Sequence, residues 1–152
     1  MSEKPFLTAR WSPLAMLNYL VDPGILMPYV PVGTELDSFE SRSFVSMVGL
    51  LFHDARVWGM SIPWHRHFPE VNLRFYVRRY IDGEWRRGVV FIKEIVPRRT
   101  VSFVARSLYE EKFVRLPVRN TVEPRVNDPN TPGHVEFQWR FANAWHRLAR
   151  VT

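Results

Sequence analysis

Glu70-Val71-Asn72-Leu73-Arg74-Phe75-Tyr76-Val77 alternates polar and apolar residues over its first six positions, within a strand read from Glu70 to Tyr80. Strand side chains point to opposite faces in turn, so Val71, Leu73, Phe75 and Val77 share one side. Glu70, Asn72 and Arg74 share the other. One reading is a half-buried strand whose polar face meets water. The other is a barrel whose polar interior lines a pocket. In that second setting Glu70 and Arg74 have to pair, because an isolated buried charge is too costly.

Asp82-Gly83 follows as a hairpin signal, and Gly88 to Val96 is the returning strand, closed by Pro97. A two-residue turn sets position 72 opposite 93 and brings Lys93 to the polar face. An odd count, as with a bulge, brings Glu94 there instead. The sequence leaves both registers open. In the even one Arg78 faces Arg87, a mildly unfavourable pair.

Upstream, Phe44 to Phe52 is an apolar run read as a strand, with Gly49 suggesting a bulge or bend. Gly59 to Pro69 reads as loop. Trp11 to Val21 reads as a helix, with Ser12 as cap, Pro13 at the first position and Leu14, Leu17 and Val21 as its packing face. Asp22-Pro23 repeats the cap-plus-proline signal for a shorter helix that stops near Pro28 to Pro31. Downstream, Thr100 to Ser107 and Val135 to Phe141 read as strands, and Pro117 to Gly133 as an extended excursion.

The chain has 152 residues, of which 46% are hydrophobic, enough for one domain with a real core. Six Trp, eleven Phe and five Tyr favour β structure and a pocket. The absence of cysteine excludes disulfides, thiolate metal sites and a Cys nucleophile. No signal peptide and no apolar run of about 20 residues is present, so the expected compartment is the cytoplasm, with no membrane partner. The net charge of +6 comes mostly from arginines scattered as pairs, Arg78-Arg79, Arg86-Arg87 and Arg98-Arg99. Nucleic-acid binding asks for a clustered footprint and is disfavoured.

An ordered series of segments carries a resemblance: Trp11-Ser12-Pro13-Leu14, Val21-Asp22-Pro23, Pro31 to Leu36, Val45 to Gly49, Phe68 to Val77, Gly88 to Pro97 and Ala105 to Glu111. The pattern resembles the YqjF-like proteins, a domain-of-unknown-function family of the acetoacetate decarboxylase-like superfamily. The resemblance implies a mainly β (α+β) fold, an antiparallel cone-shaped β-barrel enclosing a pocket, with short N-terminal helices outside. It also implies a single domain over residues 1–152 that is shorter than the family, either a fragment of a longer chain or a shortened member whose barrel closes by another route such as a partner chain. The final stretch, Arg147 to Thr152, reads as an exposed strand that invites a partner chain, so a homodimer is among the expected states. Glu94, Arg106, Tyr109 and Glu111 come from matching motif positions as pocket neighbours of Glu70, Asn72 and Arg74.

The decarboxylase reaction does not carry over. It needs a lysine with a depressed pKa, held by apolar surroundings or a neighbouring cation. Lys4, Lys93 and Lys112 are the lysines here, and Lys93 and Lys112 adjoin glutamates. His65-Arg66-His67 has a metal-compatible spacing but no third ligand. In His53-Asp54 the two side chains point apart on a strand, and His134 and His146 lack evident partners. No phosphate loop or nucleophile elbow occurs. The expectation is a small-molecule pocket without cofactor or metal, in which Arg74 or Arg106 holds a small organic acid or other anion. Whether a reaction follows is open. The alternative is a non-catalytic structural or interaction module that uses the arginine-rich surface.

Overall fold

A computed structural model describes residues 7–61, 67–97, 113–123 and 133–151. The alternating segment is the middle of β5 (Phe68–Ile81), a central strand of the larger of two sheets. That sheet runs β1 (Leu7–Val21), β3 (Ser43–Val57), β5, β6 (Glu84–Val96) and β7 (Phe113–Arg115), with β2 (Glu35–Leu36) on β5 and β4 (Met60–Ser61) on β3. The smaller sheet is β10-β9-β8, from Ala144–Val151, His134–Phe141 and Val118–Glu123. The pairs are antiparallel except β6 with β7. No strand order among the described residues closes into a ring.

Trp11 to Val21 is therefore not a helix but most of β1. Apolar residues occupy nearly every position from Leu14 to Val21, so the run satisfies a helical period and a strand alike. Pairing with β3, from Leu14 opposite Leu50 to Val21 opposite Ser43, decides between them. Pro13 starts no helix. It lies where the β1–β3 register shifts, a place where a strand tolerates a missing N–H. The second helical signal holds: Asp22 caps the four-residue α1 (Pro23–Leu26) by accepting from the Gly24 amide at 2.7 Å. A 3-10 turn, Met27–Tyr29, follows.

Gly49 marks no bulge; it sits in regular register opposite Ala15 on β1 and Val71 on β5. A side chain is missing there because Phe137 of β9 presses onto the backbone, and a Cβ would lie 2.4 Å from the ring. This contact is the centre of the core between the sheets, where Ala15, Val71, Val135, Phe137, Trp139 and Leu148 are buried together. A second cluster (Leu26, Phe75, Val77, Val90) lies beneath α1. A third (Val48, Leu50, Phe52, Ala55, Phe68) shares a face with the polar row.

The excursion expected from Pro117 to Gly133 contains a strand after all. β8 pairs residue for residue with β9, from Val118 opposite Trp139 to Glu123 opposite His134. The strand expected at Thr100 to Ser107 lies outside the described residues. Three two-residue turns, at Trp58-Gly59, Asp82-Gly83 and Ala142-Asn143, have positive φ at both positions, as the type I′ hairpin requires. Glycine suits that conformation and alanine does not. Gly83→Ala is expected to lower the unfolding free energy by about 1 kcal/mol, and Ala142→Gly to raise it by a similar amount. Denaturant midpoints with equal slopes in both variants check the opposite signs.

Candidate functional site

β5 places Glu70, Asn72, Arg74 and Tyr76 in one row. Its neighbours on the same face are Leu50, Val48 and Ser46 of β3, which stand opposite the first three. On the other side the hairpin resolves the register question by using both devices. The turn has two residues, Ile81 pairing with Glu84, and this register persists to Arg74 opposite Phe91. One extra residue on β6 then shifts the pairing, so Leu73 meets Lys93 and Asn72 meets Glu94. Glu94 joins the polar face, while exposed Lys93 belongs with Leu73 on the other.

Four of the residues singled out from sequence, Glu70, Asn72, Arg74 and Glu94, thus come together. Arg106, Tyr109 and Glu111 lie outside the described residues. Glu70 and Asn72 are buried, at 6% and 2% exposure. Asn72 Nδ2 donates to Glu70 Oε1 at 3.0 Å. The Glu70–Arg74 ion pair expected from the cost of burial is not among the contacts of the described residues. Arg74 Nη2 reaches Met16 Sδ at 3.9 Å, and among the described residues neither its buried Nε nor Asn72 Oδ1 has a hydrogen-bond partner. The charge is accommodated in another way. Burial first, with Glu94 nearby adding to it, pushes the Glu70 carboxyl from 4.5 up to about 7, against the opposing pull of the Asn72 hydrogen bond and Arg74. At neutral pH the group is therefore partly protonated.

The row continues into residues that the sequence reading did not single out. Tyr76 OH lies 2.7 Å from Ser46 Oγ, which donates to Asn18 Oδ1 at 2.5 Å. Extending the alternation by one step reaches Tyr76. Asn18 is hidden from a helical reading of its segment, in which its alignment with Ser46 has no meaning. Beyond Tyr76 opens a cleft of about 400 Å³, lined by Asn18, Tyr76 and Arg87 from the sheet side and by Asp37, Ser38, Phe39 and Phe44. It begins one step beyond Arg74 on the same strand face, not around Glu70.

Arg78 and Arg87 do stand opposite one another, and each finds an acid. Arg78 Nε meets Glu35 Oε1 at 2.6 Å and its guanidinium covers the Trp85 ring at 4.4 Å. Arg87 Nε meets Asp37 Oδ2 at 3.1 Å. His53 and His67 have ring centroids 5.4 Å apart, and His65 lies outside the described residues. No group of three metal-ligating side chains occurs among the described residues. No helix among them is long and apolar enough to cross a membrane.

Comparison with known proteins agrees with this architecture. The chain is 25% identical over 137 residues to the uncharacterized protein YqjF of Bacillus subtilis (strain 168), covering 84% of the chain and 55% of that protein. It therefore spans about half the length of the curated relative it matches. Among solved structures, an acetoacetate decarboxylase from Legionella pneumophila superposes with TM-score 0.60 at 14% identity, over 90% of this chain and 45% of that one. The enduracididine biosynthesis enzyme MppR complexed with pyruvate superposes with TM-score 0.64 at 12% identity, over 99% and 58%. These likenesses establish a mainly β, acetoacetate decarboxylase-like fold. A family model matches residues 8–151, and the chain belongs to that family, DUF2071, described as an uncharacterized conserved protein.

Proposed function

We propose that this chain, as one cytoplasmic domain, binds a small organic acid on the polar face of β5, within a barrel-like enclosure. The observation that carries the reading is a buried carboxyl poised near neutrality on the same strand face as an arginine whose buried Nε is unfilled among the described residues. Arg74 holds the anion through its guanidinium, and Asn72 Oδ1 accepts from a hydroxyl or other donor carried elsewhere on the same molecule. Glu70 holds or gives up a proton at the bound molecule, a task suited to a group titrating close to the working pH. The family resemblance adds Arg106, Tyr109 and Glu111, outside the described residues, as further candidate contacts. The pyruvate carried by one fold neighbour supports the ligand class. Lys93 belongs to the opposite face and so is not part of this row, while Lys4 and Lys112 lie outside the described residues.

Arg74→Leu separates this reading from an interaction surface. With pyruvate and acetoacetate as probes, the wild-type protein is expected to show a concentration-dependent rise in melting temperature that the variant loses. An equal rise in both proteins, or none in the wild type across short mono- and dicarboxylates, overturns it. The alternative module draws less support from the arginines. Arg78, Arg87 and Arg119 are already engaged by Glu35, Asp37 and Gln138.

A further inference from the structure

The cleft beyond Tyr76 has a chemistry distinct from that of the polar row. Asp37 and Arg87 meet there as an ion pair that uses one oxygen of the carboxylate and the Nε of the guanidinium. The second oxygen, Asp37 Oδ1, is buried without a hydrogen-bond partner among the described residues, a costly state for an acceptor. The Arg87 side chain is 78% exposed, which leaves its terminal nitrogens within reach of a ligand. Asp37 is held in place from behind, because its backbone amide donates to the Tyr76 carbonyl at 3.0 Å. Phe39 and Phe44 supply apolar walls, and Asn18 and Tyr76 line the rest.

A lone anion entering this cleft meets the Asp37 carboxylate, and a lone cation meets Arg87. A molecule carrying both charges on groups bonded to one carbon satisfies both and leaves the pair's balance intact. The aromatic walls ask for an apolar group beside those charges, and about 400 Å³ falls within the range of small-molecule sites. We propose that the cleft binds a free α-amino acid with an apolar or aromatic side chain, its ammonium group donating to Asp37 and its carboxylate accepting from Arg87. The proposal does not depend on the anion site at Arg74.

Titration of the intact chain with L-phenylalanine tests it, alongside N-acetyl-L-phenylalanine, which lacks the ammonium, and L-phenylalaninamide, which lacks the carboxylate. Each derivative is expected to bind at least about tenfold more weakly than the amino acid. Asp37→Asn and Arg87→Met are expected to weaken L-phenylalanine to a similar degree. Asp37→Asn should leave the N-acetyl compound, and Arg87→Met the amide, at their own weak affinities. Arg87 is a surface side chain, so that variant carries the test if Asp37→Asn fails to fold. Any of three results overturns the proposal: a wild-type Kd above about 10 mM, an N-acetyl compound that binds as tightly as the amino acid, or unchanged affinity in the Arg87 variant.

Discussion

Adding a methyl group at Gly49 is expected to lower the unfolding free energy by about 3 kcal/mol, although the residue sits in regular strand geometry. The ideal Cβ position falls 2.4 Å from Phe137 Cδ2 and 2.6 Å from Cγ, inside any tolerable contact. Relief would require the ring or the sheet to move, and Phe137 is fully buried among Val71, Val135 and Trp139. Phe137→Ala alone should cost about 3–5 kcal/mol by leaving a cavity. The two changes are not expected to add. With the ring gone the methyl introduced by Gly49→Ala meets only the remaining Cβ at position 137, 3.0 Å away, so the double variant should lose far less than the sum of the two single changes. Chemical denaturation of the four proteins measures the coupling. Strict additivity would mean that the ring does not rest on Gly49.

The same contact shows where the sequence is legible and where it is not. Val71, Leu73, Phe75 and Val77 reveal β5 because alternation is a local signal, and Asp82-Gly83 reveals the hairpin because its φ demands are local too. The Asp22-Pro23 cap is legible for the same reason. Gly49 announces a local oddity, but its cause lies on β9, far along the chain. Trp11 to Val21 misleads because a continuous apolar run fits both periods, and only β3 selects one. β8 is hidden because prolines flank a segment whose order comes from β9.

The candidate site divides along the same line. Alternation places Glu70, Asn72 and Arg74 together. The choice between Lys93 and Glu94 depends on an extra residue in mid-strand, well away from the turn expected to decide it. The cost of burying a charge is legible in the sequence, but its resolution is not. Asn72, two residues along the same strand, donates the hydrogen bond to Glu70, and burial raises the carboxyl's pKa.

That resolution makes stability depend on pH in an unusual direction for a carboxylate. The Glu70 pKa is raised from 4.5 to about 7 in the folded protein, so between those values the native state holds more of this proton than the unfolded chain does. Stability then falls as pH rises through the window and levels off above about 7. The size of the effect follows from the shift and is on the order of 3 kcal/mol for a group this buried. Glu70→Gln removes the titration and keeps an oxygen to accept from Asn72. The difference in unfolding free energy between variant and wild type should therefore grow in the variant's favour from pH 5 to pH 8. Taking that difference cancels the titrating groups that do not interact with Glu70, so the curve reports Glu70 and its coupling to Glu94 and Arg74. A difference that stays constant over the window would mean that the carboxyl is ionised in the fold and that Arg74 carries its counter-charge. In that case the guanidinium is no longer spare, and the anion site proposed for it has no vacancy.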